Sequence, residues 1–221
     1  MSPRRPWISW TAFLALGLAA LCPRAAPAQV ETTSRDSWQR VDEIFAVLQV
    51  EPGDRIADVG AGSGFFSFRL SPKVGPTGKV FAEDIDARVL EELQVAARRE
   101  GLDNIETIVG APDDPKLPPA SLDGVLIVNA YHEMREHELM LAGVRRALRS
   151  GARLVIVDMP PADSTASRER QTARHDIAIG VVARELAEAG FEVVVRDPDF
   201  VRAGRRRNWL LAAVRTEPRE P

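Results

Sequence analysis

The sequence predicts a doubly wound α/β fold, a mostly parallel sheet of seven strands finished by a C-terminal antiparallel hairpin strand. Three observations carry this. Short apolar runs alternate with stretches of helical spacing; a glycine-rich turn, "DVGAGSGFF", directly follows the first such run; and the last two runs, "FEVVVRD" and "NWLLAAVR", have no helix between them. Strands that alternate with helices pair in parallel. Two strands joined by a short turn pair antiparallel.

In chain order, "SWQRVDEIFAVLQV" places Val41, Ile44, Phe45 and Leu48 on one helical face, and Pro52-Gly53-Asp54 ends it. "RIADVG" is a first buried strand, with a helix after Gly64. "KVFAEDI" is the second strand, and "ARVLEELQVAARREG" a helix closed by Gly101. "IETIVG" and "SLDGVLIVNAY" are the third and fourth strands. "HELMLAGVRRALRSG" reads as a helix ending at Gly151, and "ARLVIVDM" as the fifth strand. A polar stretch leads to the helix "IAIGVVARELAEAG", closed by Gly190, and then to the final two strands.

Hydrophobic residues at 45% and charged residues at 28% of 221 positions suit one α/β domain with an ordinary core. A net charge of −3 gives no case for nucleic acid as a partner. Residues 1–28 differ in kind. Arg4 and Arg5 precede the apolar "WISWTAFLALGLAALC", and Ala26 and Ala28 fit the A-x-A rule for a cut before Gln29. This predicts a secretory signal peptide and an exported protein, periplasmic or secreted; an uncleaved membrane anchor is the alternative. Cys22, the only cysteine, lies inside that segment, so the remainder has no disulfide or thiolate chemistry. The expected division is a signal peptide over 1–28, a helical segment over 29–54 and a ligand-binding domain over 55–216.

Gly60, Gly62 and Gly64 occupy the turn between the first strand and its helix, on the sheet edge where such folds bind ligands. Missing side chains let a ligand approach the backbone, and the following helix N-terminus favours negative charge. A tight turn with no ligand is the plain alternative. A nicotinamide fingerprint would require a third glycine at Phe65, and no Gly-Lys-Ser/Thr follows to make a phosphate loop. Asp84 ends the second strand at the spacing expected of a ribose-binding acid, and strand alternation points its neighbour Glu83 to the other face.

With "DVGAGSGFFS", "GKVFAEDID" and "LDGVLIVNAYHEM" in this order, the chain resembles the class I S-adenosylmethionine-dependent methyltransferases, in particular the UbiE-like or type 11 group. The likeness runs from about Val41 to Arg215 and implies a Rossmann-like fold and S-adenosylmethionine as cofactor. It implies that Asp58, Gly60, Ala61, Gly62, Gly64 and Phe65 cradle the methionine part. It also implies that Asp84, with Ile85 beside it, holds the ribose, and that Asn129 borders the donor. Relatives often carry an acid near the adenine where this chain has Ala111; Asp113 and Asp114 are the residues that would replace it, or else are turn residues beside Pro112 and Pro115. Trp38 and Gln39 begin the helix that in this family often lids the cofactor.

"NAYHEM" follows the fourth strand on the same edge. His132 is the candidate base and Tyr131 the candidate residue for positioning the acceptor, with helix capping by His132 and Glu133 as the plainer alternative. "HEMREH" lacks the zincin spacing, because His132 and His137 point in different directions on a helix, and His175 is far along the chain. No metal site is expected. Asp158 ends the fifth strand, and His175-Asp176 follow in a loop on the same edge. Arg202, Arg205, Arg206 and Arg207 link the last strands and offer charge to an anionic acceptor or to phospholipid headgroups; a solvated hairpin tip is the alternative. The function expected is methyl transfer to a small-molecule acceptor. An exported, inactive cofactor-fold binding protein is the competing expectation, and Phe65 argues against a nicotinamide oxidoreductase.

Overall fold

A computed structural model describes residues 34–216; the expected signal peptide over 1–28 lies outside the described residues. The chain runs α1 (Ser34–Gln39), α2 (Val41–Leu48), β1 (Arg55–Val59), α3 (Ser67–Val74), β2 (Lys79–Asp84), α4 (Ala87–Arg99), β3 (Ile105–Val109) and β4 (Leu122–Val128). A single 3₁₀ turn, Tyr131–Glu133, leads to α5 (His137–Ala147), β5 (Leu148–Asp158), α6 (Arg168–Thr172), α7 (Ile179–Glu188), β6 (Phe191–Ala203) and β7 (Arg206–Arg215).

The seven strands lie in the order β3-β2-β1-β4-β5-β7-β6. The five strands from β3 to β5 pair in parallel, and β7 runs antiparallel to both β5 and β6. The predicted Rossmann-like sheet with its antiparallel closing strand is therefore the observed one. From central β1 the chain winds outward through β2 and β3, then returns to β4 on the other side of β1. The direction of winding reverses between β1 and β4, which opens a crevice beyond their C-terminal ends.

Alternation along the strands builds two cores. Ile56, Val80, Ala82, Leu126 and Val155 face α2, α3 and α4. Ala57, Phe81, Val125, Ile127 and Trp209 face α5 and α7. Burial on both faces is why the strands read as nearly continuous apolar runs rather than alternating ones. No helix among the described residues is long and apolar enough to cross a membrane.

Three boundaries differ from the sequence reading. The first helical stretch is two helices, because Arg40 adopts a left-handed φ of 54° between them. Its guanidinium leaves the helix to bond Glu43 and the carbonyl of Phe200. The helix expected to reach Gly151 stops at Ala147, since Leu148 already pairs with Leu122 in the sheet and the Arg215 guanidinium takes the carbonyl of Leu148 at 2.9 Å. Finally, β6 runs past Asp197 to Ala203, bending through two irregularities opposite β7.

Candidate functional site

The three glycines after β1 have left-handed φ values of 71°, 52° and 84° at Gly60, Gly62 and Gly64. Their surroundings separate them. A Cβ on Gly60 would stand 2.5 Å from the Cβ of Ala130, and one on Gly64 would stand 2.8 Å from Leu93 and Phe68. A Cβ on Gly62 would meet nothing within 4 Å among the described residues. Two glycines serve the packing of the protein itself, while the backbone of Gly62 faces open space.

The Gly62 N–H donates to Asp84 Oδ2 at 2.9 Å, and the Asp86 N–H donates to Asp84 Oδ1 at 3.0 Å. The carboxylate is thus fixed at the rim of the crevice with lone pairs remaining for further donors. Beside it two large apolar residues are exposed, Ile85 at 61% and, at the end of β3, Val109 at 46%. Val109 pairs with Asp84 in the sheet, and nothing in its local sequence marks it as part of a site.

Asp58 stands beneath the turn rather than in it. It is buried and accepts the Ser67 hydroxyl at 2.6 Å, so it anchors the start of α3 instead of reaching the crevice. Burial pushes its carboxyl up to about 6, against the pull of the Ser67 bonds. Glu83 faces away from Asp84, as alternation requires, into a second buried position. Burial raises it to about 8, offset in part by the Gly60 N–H and reinforced by Asp84 and Asp58. Its Oε1 has no hydrogen-bond partner among the described residues and lies against Gly110, where a Cβ would come within 1.8 Å of it.

Of the other residues expected to hold the cofactor, Ala61 is half-buried and donates its N–H to the Glu83 carbonyl at 2.9 Å. Phe65 stands beside the turn with the guanidiniums of Arg35 and Arg69 over its ring at 3.7 and 3.8 Å. Asp113 is exposed in the loop after β3. Asp114 caps the Lys116 N–H and bonds Arg146 of α5 at 3.0 Å, which fits the turn-residue alternative better than a place by the adenine.

Beyond β4, Asn129 has a φ of 52° and accepts from Asn208 Nδ2 at 2.7 Å. Tyr131 is fully buried and donates its hydroxyl to Glu185 at 2.8 Å. Burial and then the Glu185 charge raise this phenol far above its ordinary range. Tyr131 therefore cannot position an acceptor, because the 3₁₀ turn points it into the core between β4 and α7. Arg168 completes this anchor by bonding Glu185 at 2.8 Å and the Met134 carbonyl at 3.0 Å. Glu185 and Arg168 are too distant in sequence for any motif to have shown them.

His132 points the other way. Its Nδ1 lies 2.8 Å from Asp158 Oδ1, and its backbone N–H donates to Asp158 Oδ2 at 3.0 Å. Burial works against the imidazolium, but the Asp158 bond and charge, with Glu133, hold the ring above its ordinary pKa. Its Nε2 stands 3.6 Å from Glu133 Oε1, and that oxygen is also 3.2 Å from His175 Nδ1. His137, by contrast, turns to Glu185. His175 lies on this edge as the sequence predicts, and the loop after β5 brings its ring centroid to 5.6 Å from that of His132.

A cavity of about 430 Å³ lies at this edge, bordered by Trp38, Asn129, His175, Asp176, Arg206 and Asn208. Arg205 and Arg207 complete a basic wall, and Arg206 stacks on the Trp38 ring at 4.6 Å. Arg202 pairs with Asp199 outside the cavity wall.

The sequence profile of the methyltransferase domain family matches residues 50–193. The chain belongs to the methyltransferase domain family. The match takes in the glycine turn, Asp84 and the His132–Asp158 pair. Among curated methyltransferases, the ubiquinone/menaquinone biosynthesis C-methyltransferase UbiE of Hahella chejuensis is 30% identical over 110 residues, 49% of this chain and 44% of that one. A transposon protein of Streptomyces fradiae without an assigned activity is 28% identical over 159 residues, 66% of this chain and 46% of its own. The chain thus spans less than half the length of these curated relatives. An S-adenosylmethionine-dependent methyltransferase of Aquifex aeolicus has the same fold, with a TM-score of 0.72 and 22% identity over 84% of this chain and 94% of that one. Another, from Mesorhizobium loti, gives 0.66 and 20% identity over 81% and 99%.

Proposed function

We propose that the chain transfers a methyl group from S-adenosylmethionine to a small-molecule acceptor. The observation that carries this reading is the pairing of an open Gly62 backbone with the Asp84 carboxylate fixed beside it. Bound there, the cofactor would supply a methyl group on a sulfonium sulfur, the S–C bond breaking as the acceptor forms its own bond to that carbon. Asp84 would accept the ribose hydroxyls, and Ile85 and Val109 would flank the flat apolar ring. Gly62 would admit the amino-acid portion to the backbone. Gly60 and Gly64 hold the turn in shape, and Asp58 secures it from below through Ser67.

The acceptor would enter the cavity bordered by Trp38, Asn129 and His175, whose volume of about 430 Å³ is that of a small-molecule site. Holding donor and acceptor in line supplies much of the rate in such a transfer, so the residues required are chiefly positioning ones. His132 lines this edge with its ring fixed by Asp158. The basic, apolar and small-residue pattern of residues 1–28 supports an exported protein, with the reaction outside the cytoplasm.

Calorimetric titration of the full chain with S-adenosylmethionine and S-adenosylhomocysteine tests the reading. Micromolar binding, about −8 kcal/mol, is expected. Binding of neither compound would overturn it. Binding without transfer to any acceptor class would favour a cofactor-fold binding protein instead.

A further inference from the structure

We propose that His132, Glu133 and His175 form a binding site for a divalent transition metal of the zinc type. Two of the chain's three histidines and one carboxylate converge here, with ligand atoms all within 4.8 Å of one another. Glu133 Oε1 is 3.6 Å from His132 Nε2 and 3.2 Å from His175 Nδ1. Zinc bonds of about 2.0–2.2 Å in a tetrahedron place ligand atoms about 3.3–3.6 Å apart, so the two edges through Glu133 already have about the size of those in a coordination shell.

The second observation lies behind the cluster. His132 Nδ1 faces Asp158, which is fully buried, and Asp158 also accepts the N–H groups of His132 and Met159. A carboxylate so held accepts the hydrogen bond from Nδ1 and leaves Nε2 facing Glu133, the arrangement that metal-binding histidines commonly use. His175 has a left-handed φ of 58°, and its ring centroid lies 5.6 Å from that of His132.

Two imidazoles and one carboxylate suit zinc, cobalt or nickel better than magnesium or calcium. Glu133 and His175 are exposed, so the ion has a path from solvent. Arg168 lines the adjoining cavity of about 550 Å³, but its charge is met by Glu185; Arg135 and His137 are the other basic groups there. Three protein ligands leave a fourth position open toward that cavity. His175 also borders the acceptor cavity, so an ion held here stands at the boundary between the two.

This inference goes beyond methyl transfer and is tested apart from it. The full chain, stripped with chelator, is titrated with Co²⁺ and then Zn²⁺. One Co²⁺ per chain, with the intense visible bands of a tetrahedral site and displacement by Zn²⁺, is expected. Glu133→Ala and His175→Ala, both at exposed positions, should each weaken Co²⁺ binding at least about tenfold, and Asp158→Asn by about 10–100-fold. Thermal unfolding of each variant confirms that it is folded. A wild-type chain without the cobalt bands, or Glu133→Ala and His175→Ala variants that bind as the wild type does, would overturn the proposal. Titration of the same samples with S-adenosylmethionine reports separately on the cofactor site.

Discussion

Asp158 holds the buried His132 at two points: Oδ1 lies 2.8 Å from the ring Nδ1 and Oδ2 is 3.0 Å from the backbone nitrogen of the same residue. One carboxylate at the end of β5 thereby sets both the position and the tautomer of a side chain on the turn after β4. The Met159 N–H is bonded to the same carboxylate at 2.7 Å. Asp158→Asn keeps the shape but turns one acceptor into a donor facing another donor. The expected loss is about 2–4 kcal/mol of unfolding free energy, measured by urea denaturation. A change under about 0.5 kcal/mol would show that the pair does not organise this edge.

The turn after β1 makes a divided prediction. Gly60→Ala meets Ala130 and adopts an unfavourable φ, so it should cost about 2–4 kcal/mol of stability. Gly62→Ala meets only the φ penalty, about 1–2 kcal/mol, yet places its methyl where a ligand would approach. Thermal unfolding and S-adenosylmethionine titration together separate the two. Cofactor affinity in Gly62→Ala equal to that of the wild type would remove Gly62 from the site.

Asp84 carries the companion prediction. Each hydrogen bond to a charged acceptor is worth about 1.5–3 kcal/mol, so Asp84→Ala should weaken S-adenosylmethionine binding at least tenfold. Part of that loss comes through the turn, since the Gly62 N–H loses its acceptor. Calorimetry measures the change, and an unaltered affinity would refute the assignment.

These sites were unequally legible in the sequence. The glycine turn and Asp84 are readable because their chemistry is local: strand, turn and acid follow one another at fixed spacing. The closing hairpin is readable for the same reason, as no helix separates its strands. His132 and Asp158 are 26 residues apart, and His175 and Glu133 are 42 apart, so only the sheet order brings them together. The partner of Asp114 is equally hidden in the sequence: its carboxylate bonds Arg146, 32 residues on, from a turn closed by the Ala111–Asp114 bridge. The break at Arg40 has no glycine or proline to announce it.

Tyr131 shows how one residue of turn geometry decides a role. Its ring lies in the core while that of the next residue faces the cavity edge. Tyr131→Phe should keep cofactor affinity within about twofold and lower stability by about 1–2 kcal/mol, the worth of the hydroxyl donated to Glu185. Paired calorimetry and denaturation test this. A large loss of cofactor affinity with stability unchanged would return Tyr131 to the crevice.

Glu83 gives a pH dependence of definite sign. Its carboxyl is raised from about 4.5 in the open chain to about 8 in the fold, chiefly by burial. The native state therefore holds its proton more tightly than the unfolded state. The contribution of Glu83 to stability is full below about pH 4.5 and is lost progressively as pH rises through about 8. Asp58, raised to about 6, adds a loss of the same sign at lower pH. Glu83→Gln replaces the protonated acid by a neutral group of nearly the same shape and cannot ionise. It should be more stable than the wild type by about 1–3 kcal/mol near pH 8.5, and its stability should fall less steeply between pH 6 and 8. Denaturant titrations across that range, without cofactor, measure both. A variant that tracks the wild-type slope would mean that Glu83 reaches water and ionises normally despite its burial. A flattened slope would identify this buried acid, in contact with Gly110 behind the cofactor edge, as a source of alkaline instability.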